Sequence, residues 1–596
     1  MAAESRPALI YDGDCSFCIE WVGFWRALTG GRVEYIPSRD ALASGRFSGL
    51  TSEDCRKAVQ FITPEGRWSG ADAVGHLLDG IPGYDWFPWC MRFIPGFAAL
   101  ASFAYKWIAG HRGFALRVTI ALWGAPVRPS TWDTASDFFS RILAVVYGIA
   151  FASFGLQARG LVGAEGILPA REFFDAVHRQ LGAVGMWRLP TIFWWGSSDL
   201  TILSITWTGV VLSVMSLVTK RHSRWQRIIF IVLWIYYLSI VNAGQVFMAF
   251  QWDWLLVEAG FIAIFLRPSR ARTWLFRWLL FRLMFESGLV KLLSGDASWH
   301  NLTALQFHYE TQPLPTPLAW YAHLAPVWFQ QFSVVVVFAV ELGVPFLIFG
   351  PRRLRQIAGT AIIGLQVLIL LTGNYTFFNL LAIALCLFLF DDACFARWKV
   401  ASKPIALRPP WRAATAVVWT LVAFLSGVEL WSLAGKVPEP LVAAQRQVSQ
   451  FGLVNHYGLF SVMTTKRMEI QIEASLDGQS WEPYLFRYKP GPVSRRPPWV
   501  EPYQPRLDWQ MWFAALSGAR DNPWFIRTMV GLLRDSKPVK ALFEQTPFGG
   551  AQVKFLRASI YEYHFTSWEE RQKTGNYWKR ELKGLYFPVI SLRGGQ

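Results

Sequence analysis

The chain has 596 residues, of which 53% are hydrophobic, 16% aromatic and only 17% charged, with 32 Trp and a mean hydropathy of +0.26. Soluble globular proteins carry about a quarter charged residues, so this balance points to an integral membrane protein with soluble parts attached and to several domains. The net charge of +17 does not argue for nucleic acid, because the basic residues fall between apolar segments and form no basic helix, finger or stacking platform.

Met1 to Arg6 is short and polar, without the apolar core of a signal peptide. Ala8 to Tyr11 reads as a strand running into Asp12-Gly-Asp-Cys15-Ser-Phe-Cys18, and Ile19 to Leu28 then has helical spacing until Gly30-Gly31. A Cys-x-x-Cys between a strand and a helix start suits thiol–disulfide exchange. Free N–H groups at the helix start favour a thiolate, while Asp12 and Asp14 oppose it. On this reading Cys15 attacks and Cys18 resolves. Half of a zinc site and a vestigial pair stay open as alternatives; zinc needs a second ligand pair, and Cys55, Cys90 and His76 are badly spaced for one.

Val33 to Ile36 and Ala58 to Ile62 read as strands, Pro64-Glu-Gly66 as a turn into Trp68, and Gly70-Ala-Asp72-Ala-Val74 as a helix start. This block ends near Arg112. It resembles the DCC family of thiol-disulfide oxidoreductases through Tyr11-Asp-Gly-Asp-Cys-x-x-Cys18, Gly70-x-Asp72-Ala and the closing Tyr105 to Arg112. The resemblance implies a thioredoxin-like α/β domain over residues 1–115, with Cys15 and Cys18 as the redox pair, Asp12 within the motif, and a thiol redox partner. Residues 116–138 read as a linker.

From Phe139 to residue 435 a polytopic helical membrane domain is expected. Apolar runs lie at Ile142 to Leu156, Leu200 to Val218, Ile228 to Val241, Val246 to Leu266, Trp274 to Leu293, Phe329 to Phe349, Ile357 to Leu371, Phe377 to Phe390 and Ala414 to Leu433. That is about nine helices, several of them short for a span. Lys220 to Arg227, Arg267 to Arg277, Arg352 to Arg355, and Arg397 through Lys399, Lys403, Arg408 and Arg412 occupy every second connection. The positive-inside rule then puts the N-terminal domain in the cytoplasm and the C-terminal tail in the periplasm or a lumen. The long first outer loop, Gln157 to Gly196, is the exception, with four arginines. Within the runs, Arg282 and Glu286 stand four apart and are expected to pair, while Glu258, Glu341 and Glu429 each need a partner in the bundle.

Phe285 to Pro326 joins the fifth run to the sixth. It carries Lys291 to the helix end and opens into a loop rich in aromatics, proline and histidine. His300, His308 and His323 are spaced too widely for a compact metal site, and neither metal nor cofactor is expected. After Pro438 the tail, residues 436–596, reads as a β-rich α+β domain without cysteine, so it folds without disulfides. Arg467 to Ser475 alternates as a half-buried strand, Asp477-Gly478 turns it, and Tyr484 to Tyr488 returns as its partner. Asp508 to Leu516 and Pro523 to Leu533 read as helices, and Gln552 to Phe565 alternates again. Trp499, Tyr503, Trp509 and Trp512 are either core or a partner surface.

The outer loop and the tail together resemble the lipase maturation factor family. The residues carrying this are Trp299-x-x-Leu302-Thr-Ala-Leu305, His308-Tyr-Glu310-x-Gln-Pro-Leu-Pro-Thr-Pro317, Leu318-Ala-Trp-Tyr321-x-His323, Gly373-Asn-Tyr375 with Asn379, Val454-Asn455-x-Tyr457-Gly, and Pro502-Tyr503-x-x-Arg506-Leu-Asp-Trp509-x-Met-Trp-Phe513. The resemblance implies a membrane protein that helps secreted lipases reach their active dimeric fold. An exported lipase-like client would then meet Trp299, His308, Tyr309, Glu310, Trp320, Tyr321 and His323 in the loop, and Tyr503, Arg506, Asp508, Trp509 and Trp512 in the tail. The family's best-understood members work in the endoplasmic reticulum; the DCC block and the Ala- and Arg-rich style of this chain point to a bacterial inner membrane. A looser similarity, Gly288-Leu-Val-Lys291-Leu followed by Trp299, is to the membrane domain of vitamin K-dependent γ-glutamyl carboxylases, where a lysine acts as base. It yields the alternative of a membrane enzyme with Lys291, His308 and Glu310 around an outward pocket, modifying a protein or lipid. Lys291 reads equally as snorkelling or as bonding helix carbonyls.

Overall fold

A computed structural model gives the fold over residues 6–81, 83–265, 269–398 and 409–592. The expectations placed on residues 1–5, on Leu266 and Arg267, and on Lys399, Lys403 and Arg408 lie outside the described residues. The chain forms two compact units.

The first unit takes in the chain up to Asp133, which is α/β, together with Phe349–Ile357 and Leu389–Val400. Strands β1 (Ala8–Tyr11), β2 (Glu34–Pro37), β3 (Gln60–Thr63) and β4 (Gly66–Ser69) form one sheet in the order β2-β1-β3-β4. β1 and β2 are parallel, as a strand–helix–strand crossover through helix Ser16–Thr29 requires, whereas β3 is antiparallel to both β1 and β4. Leu9, Tyr11, Val22, Phe61 and Leu77 form the core, with Trp25, Trp68 and Tyr105 against it. Helices Trp86–Phe93 and Phe97–Gly110 are followed by Arg112–Trp123.

The second unit combines the apolar helices with the tail. Among the described residues, six helices are long and apolar enough to cross a membrane: Asp133–Gly155, Asp199–Val218, Arg224–Ala243, Val327–Leu347, Arg352–Thr372 and Ala413–Leu433. The expected nine is not confirmed. The other three runs are helical, but Gln251–Ile264 and Phe378–Cys386 are short, and Arg270–Leu293 carries Arg272, Arg277, Arg282, Glu286 and Lys291.

In the tail, β5 (Arg467–Ser475), β6 (Glu482–Pro483), β7 (Phe555–Phe565) and β8 (Trp578–Ser591) form an antiparallel sheet in the order β6-β5-β7-β8. The returning strand expected at Tyr484 to Tyr488 is instead the two-residue β6; the long partner of β5 is β7, in register from Arg467 against Tyr563 to Ser475 against Phe555. The tail helices are Arg506–Ala514 and Pro523–Leu533.

The carboxylates expected to need partners inside the bundle have them. Arg282 pairs with Glu258 rather than with Glu286, and it also donates to the Asn455 carbonyl at 3.1 Å. Glu258 also accepts from the Asn455 N–H at 3.0 Å and the Tyr457 hydroxyl at 2.8 Å, while Glu286 accepts the Tyr457 N–H at 3.0 Å. Glu341 pairs with Lys291 at 2.8 Å, and Glu429 lies 3.2 Å from His456 Nδ1.

Candidate functional site

The first candidate centre is the thiol pair. Cys15 caps helix Ser16–Thr29, and its Sγ accepts the Cys18 N–H at 3.4 Å; both thiols are free. The local negative charge expected from Asp12 is offset by a residue that sequence spacing could not find. Arg112, 100 residues away, donates from Nη1 to the Asp12 carboxylate at 2.8 Å. Its positive charge also acts on both cysteines. Burial, reinforced by the hydrogen bond and charge of Cys15, pushes the Cys18 thiol up to about 12. Cys18 therefore holds its proton at neutral pH. It lines a pocket of about 50 Å³ with Phe17, Trp21, Cys55, Tyr105 and Arg112. His76 stacks on Trp68 at 4.0 Å and Cys55 packs against Ile10 and Ala41. Among the described residues no group of His, Cys, Asp or Glu is arranged to hold a metal ion.

The second centre is the joint between the outer loop and the tail. Buried Arg467 donates to the carbonyls of Glu310 at 2.8 Å, Pro313 at 2.9 Å and Gln312, and pairs with Glu469 at 2.7 Å. Asn374 donates from Nδ2 to the carbonyls of Leu314 at 3.1 Å and Pro498 at 2.9 Å, and its Oδ1 accepts the Val500 N–H at 2.8 Å. Trp512 donates to the Thr311 carbonyl at 2.7 Å, and Trp320 to the Thr566 carbonyl at 3.0 Å. The Glu310 carboxylate accepts the Phe565 N–H at 2.6 Å, with His564 Nδ1 at 3.0 Å and His323 Nε2 at 3.7 Å. Arg506 reaches from the tail to Asp253 among the apolar helices.

These bonds revise the client-contact surface expected from sequence. Trp299, Glu310, Trp320, Arg506, Asp508, Trp509 and Trp512 are all buried, so none presents a surface: each fixes the tail, or the loop, to its surroundings. Trp509 packs edge-on against Trp252 at 4.7 Å, and Asp508 accepts the Tyr488 N–H at 2.8 Å, with burial raising its carboxyl to about 6. His308, Tyr309, His323 and Tyr503 are half-buried, and Tyr321 is exposed, near exposed Trp568.

The third centre is a cavity of about 110 Å³ whose wall includes Lys291, Trp299, His308, Glu341, Gln366 and Tyr375. Gly288 lets the two helices that form it touch, since a Cβ there would meet Glu341 Cβ and Leu342 at 2.9 Å. Lys291 Nζ is committed: it donates to both Glu341 oxygens at 3.0 and 2.8 Å and to the Ser287 carbonyl at 3.0 Å, and lies 5.4 Å from the Trp299 ring centre. His308 Nε2 lies 3.2 Å from the Tyr375 hydroxyl, and burial, followed by the charge of Lys291, lowers its pKa to about 4. Lys291 and His308 thus share one cavity, whereas Glu310 is turned to strand β7. The three-residue catalytic constellation is not assembled, and an ammonium bonded to a carboxylate is no free base.

Family models match three stretches of the chain: the DCC1-like thiol-disulfide oxidoreductase over residues 9–117, the lipase maturation factor transmembrane domain over residues 134–397, and the lipase maturation factor C-terminal domain over residues 453–588. Lipase maturation factor 2 of Homo sapiens is 35% identical over 596 residues, covering 76% of this chain and 82% of its own. The Xenopus tropicalis protein of the same name is 33% identical over 583 residues, covering 76% and 81%. Lipase maturation factor 1 of Bos taurus is 33% identical over 518 residues, covering 79% and 92%. No solved structure matches.

Proposed function

This chain belongs to the lipase maturation factor family, and on that premise we propose that it is a membrane-embedded maturation factor for exported lipases or similar proteins, with a thiol-disulfide module at its N-terminal end. The observation that carries the reading is the joint itself. The residues that carry the family likeness, Glu310, Asn374, Arg506 and Trp512 among them, spend their polar groups on holding the outer loop, the tail and the helices together. That gives a rigid platform for a client.

On the platform, β8 is the free edge of the tail sheet. Leu582 and Leu585 are each 58% exposed and Val589 50%, an apolar strip that a client lacking its final contacts would cover. A half-folded chain can add a strand to such an edge, while Arg580, Lys583 and Pro588 in β8 discourage lasting self-pairing. Tyr321 and Trp568 add an exposed aromatic pair.

The N-terminal unit acts as a thioredoxin-like dithiol. The Cys15 thiolate attacks the disulfide of a thiol redox partner, forming a mixed disulfide and releasing one thiolate. Cys18 loses its proton to Asp12 or solvent and attacks Cys15 Sγ, which releases the second thiol and leaves a Cys15–Cys18 disulfide. A reducing thiol partner restores the pair. Basic residues in alternate connections favour a cytoplasmic side for this unit and an outer side for the tail, in a bacterial inner membrane.

The test is deletion in a lipase-secreting host, complemented with the wild-type chain or with L582S/L585S/V589S. Deletion and the triple variant should both lower the specific activity of secreted lipase, and the wild type should restore it. Unchanged specific activity after deletion would overturn the reading.

A further inference from the structure

Residues 86–118 of the first unit hold nine of the eleven large apolar side chains that are exposed among the described residues up to Asp133: Trp86, Trp89, Phe93, Ile94, Leu100, Phe103, Trp107, Phe114 and Val118, at 37–68% exposure, against Ile19 and Leu42 elsewhere. They are not scattered. Trp86, Trp89 and Phe93 recur three and then four residues apart on helix Trp86–Phe93, and Leu100, Phe103 and Trp107 repeat that spacing on helix Phe97–Gly110, one stripe on each helix. Phe87 meets Phe97 at 5.8 Å, which packs the first helix on the second, and exposed Trp107 meets exposed Phe114 at 6.0 Å on the third. Exposed apolar stripes gathered on adjoining helices of a folded domain mark a contact.

The charges select the contact. From Trp86 to Trp132 the sequence contains no Asp or Glu, whereas Lys106 and Arg117 are exposed on these helices, as is Arg92, 3.8 Å from the Asp79 carboxylate. Trp and Phe beside Lys and Arg, without acid, is the composition of a helix lying in a membrane interface over anionic lipid. The chain keeps the surface there: from Trp123 to Asp133, where the first span begins, it can extend only about 35 Å.

We propose that residues 86–118 form an interfacial foot, seated in the anionic lipid surface of the membrane that the chain itself spans. The foot fixes the distance of the thiol pair from the bilayer, since Tyr105 and Arg112, which line the Cys18 pocket, belong to its helices. The inference does not depend on the maturation reading.

The experiment uses the full chain, with its native cysteines changed to Ser, in nanodiscs of phosphatidylcholine and phosphatidylglycerol. A spin label is placed by F103C and, as a second site, L100C; E65C serves as the aqueous control. Power saturation should give labels at 103 and 100 a ratio of oxygen to nickel-chelate accessibility several-fold above that at 65. R92E/K106E/R117E should bring the ratio down toward the control. Equal ratios at 103, 100 and 65, or labels at 103 and 100 shielded from both reagents as by a protein partner or a second copy, would overturn the proposal. Should the cysteine-free chain fail to fold, photolabelling of the wild-type chain with a diazirine-acyl phosphatidylglycerol decides the matter. Adducts concentrated in the 86–118 peptides are expected, and their absence there overturns it.

Discussion

Arg506 meets Asp253 through two parallel hydrogen bonds, Nη1 to Oδ2 and Nη2 to Oδ1, both 2.9 Å long, with neither side chain reaching solvent. Asp253 also accepts the Tyr237 hydroxyl at 2.5 Å, and Arg506 Nη1 donates to the Phe247 carbonyl at 2.7 Å. Removing one charge strands the other in a dry interior, which costs about 3–5 kcal/mol. R506M and D253N should therefore each lower the unfolding temperature in detergent markedly. R506K should also fail, because an ammonium cannot make the forked contact, while R506M/D253L should recover much of the loss. An R506M chain that melts with the wild type would show that the tail is held elsewhere.

Much of this architecture is legible in the chain, for reasons that also set the limit. Local pattern finds local structure: the alternation of Met468, Ile470 and Ile472 finds β5, and Asn522-Pro523 finds a helix start. Long apolar runs find the spans. Strand β8 escapes because it is an edge strand with Gly584 and Pro588 in it and register shifts opposite Leu556, Ala558 and Ile560, which destroy the period of two. The Arg282–Glu286 pairing fails for another reason. Spacing by four puts charges on one helix face, but it cannot anticipate that Glu258 of another helix takes Arg282, or that Asn455 and Tyr457, more than 160 residues away, bond Arg282 and Glu286. The same blindness hides Arg112 from Asp12. The site motifs are visible as clusters of Trp, Asn, Arg and Glu, but whether such residues face a client or one another is decided by tertiary contacts, and here Trp509 and Trp512 face inward.

The asymmetry of the thiol pair gives a chemical prediction. Because burial raises the Cys18 thiol to about 12, iodoacetamide at pH 7 should modify Cys15 first, with Cys18 inert until the chain unfolds. C15S should abolish reduction of a model disulfide by the full-length protein, and C18S should trap the mixed disulfide. R112Q removes the cation that offsets Asp12, so alkylation of Cys15 at pH 7 should slow several-fold, with R112K restoring much of it. An unchanged rate in R112Q would leave Arg112 a merely structural role.

Two tail carboxyls make stability depend on pH in an unusual direction. Burial raises Glu501 to about 8, even though it accepts the Tyr375 N–H, and raises Asp508 to about 6. Unfolded, these groups titrate near 4.3 and 3.9. Between the unfolded and folded values the native chain binds the extra proton, so their contribution falls as pH rises: over about pH 4 to 6 for Asp508 and about pH 4 to 8 for Glu501. The unfolding temperature should therefore decline from pH 5 to 8, and E501Q, which keeps a neutral side chain throughout, should flatten the upper part of that decline. An E501Q chain with the wild-type slope would mean that Glu501 is already ionised at pH 5.

In the sequence Lys291 is the candidate base of the alternative, enzymatic reading, and in the structure its Nζ bonds Glu341 and the Ser287 carbonyl, an arrangement that suits a packing ion. The two roles separate in a double-mutant cycle. If the pair is structural, K291M and E341L each leave a lone buried charge and should destabilise by about 3–5 kcal/mol, while K291M/E341L removes both charges and should approach the wild type in stability. Lipase maturation should then follow stability, so that the double variant supports secretion of active lipase although the lysine is gone. If instead the ammonium did chemistry, the double variant would fold and still fail to mature the client. That result would return Lys291 to the centre of the cavity it shares with His308 and Tyr375.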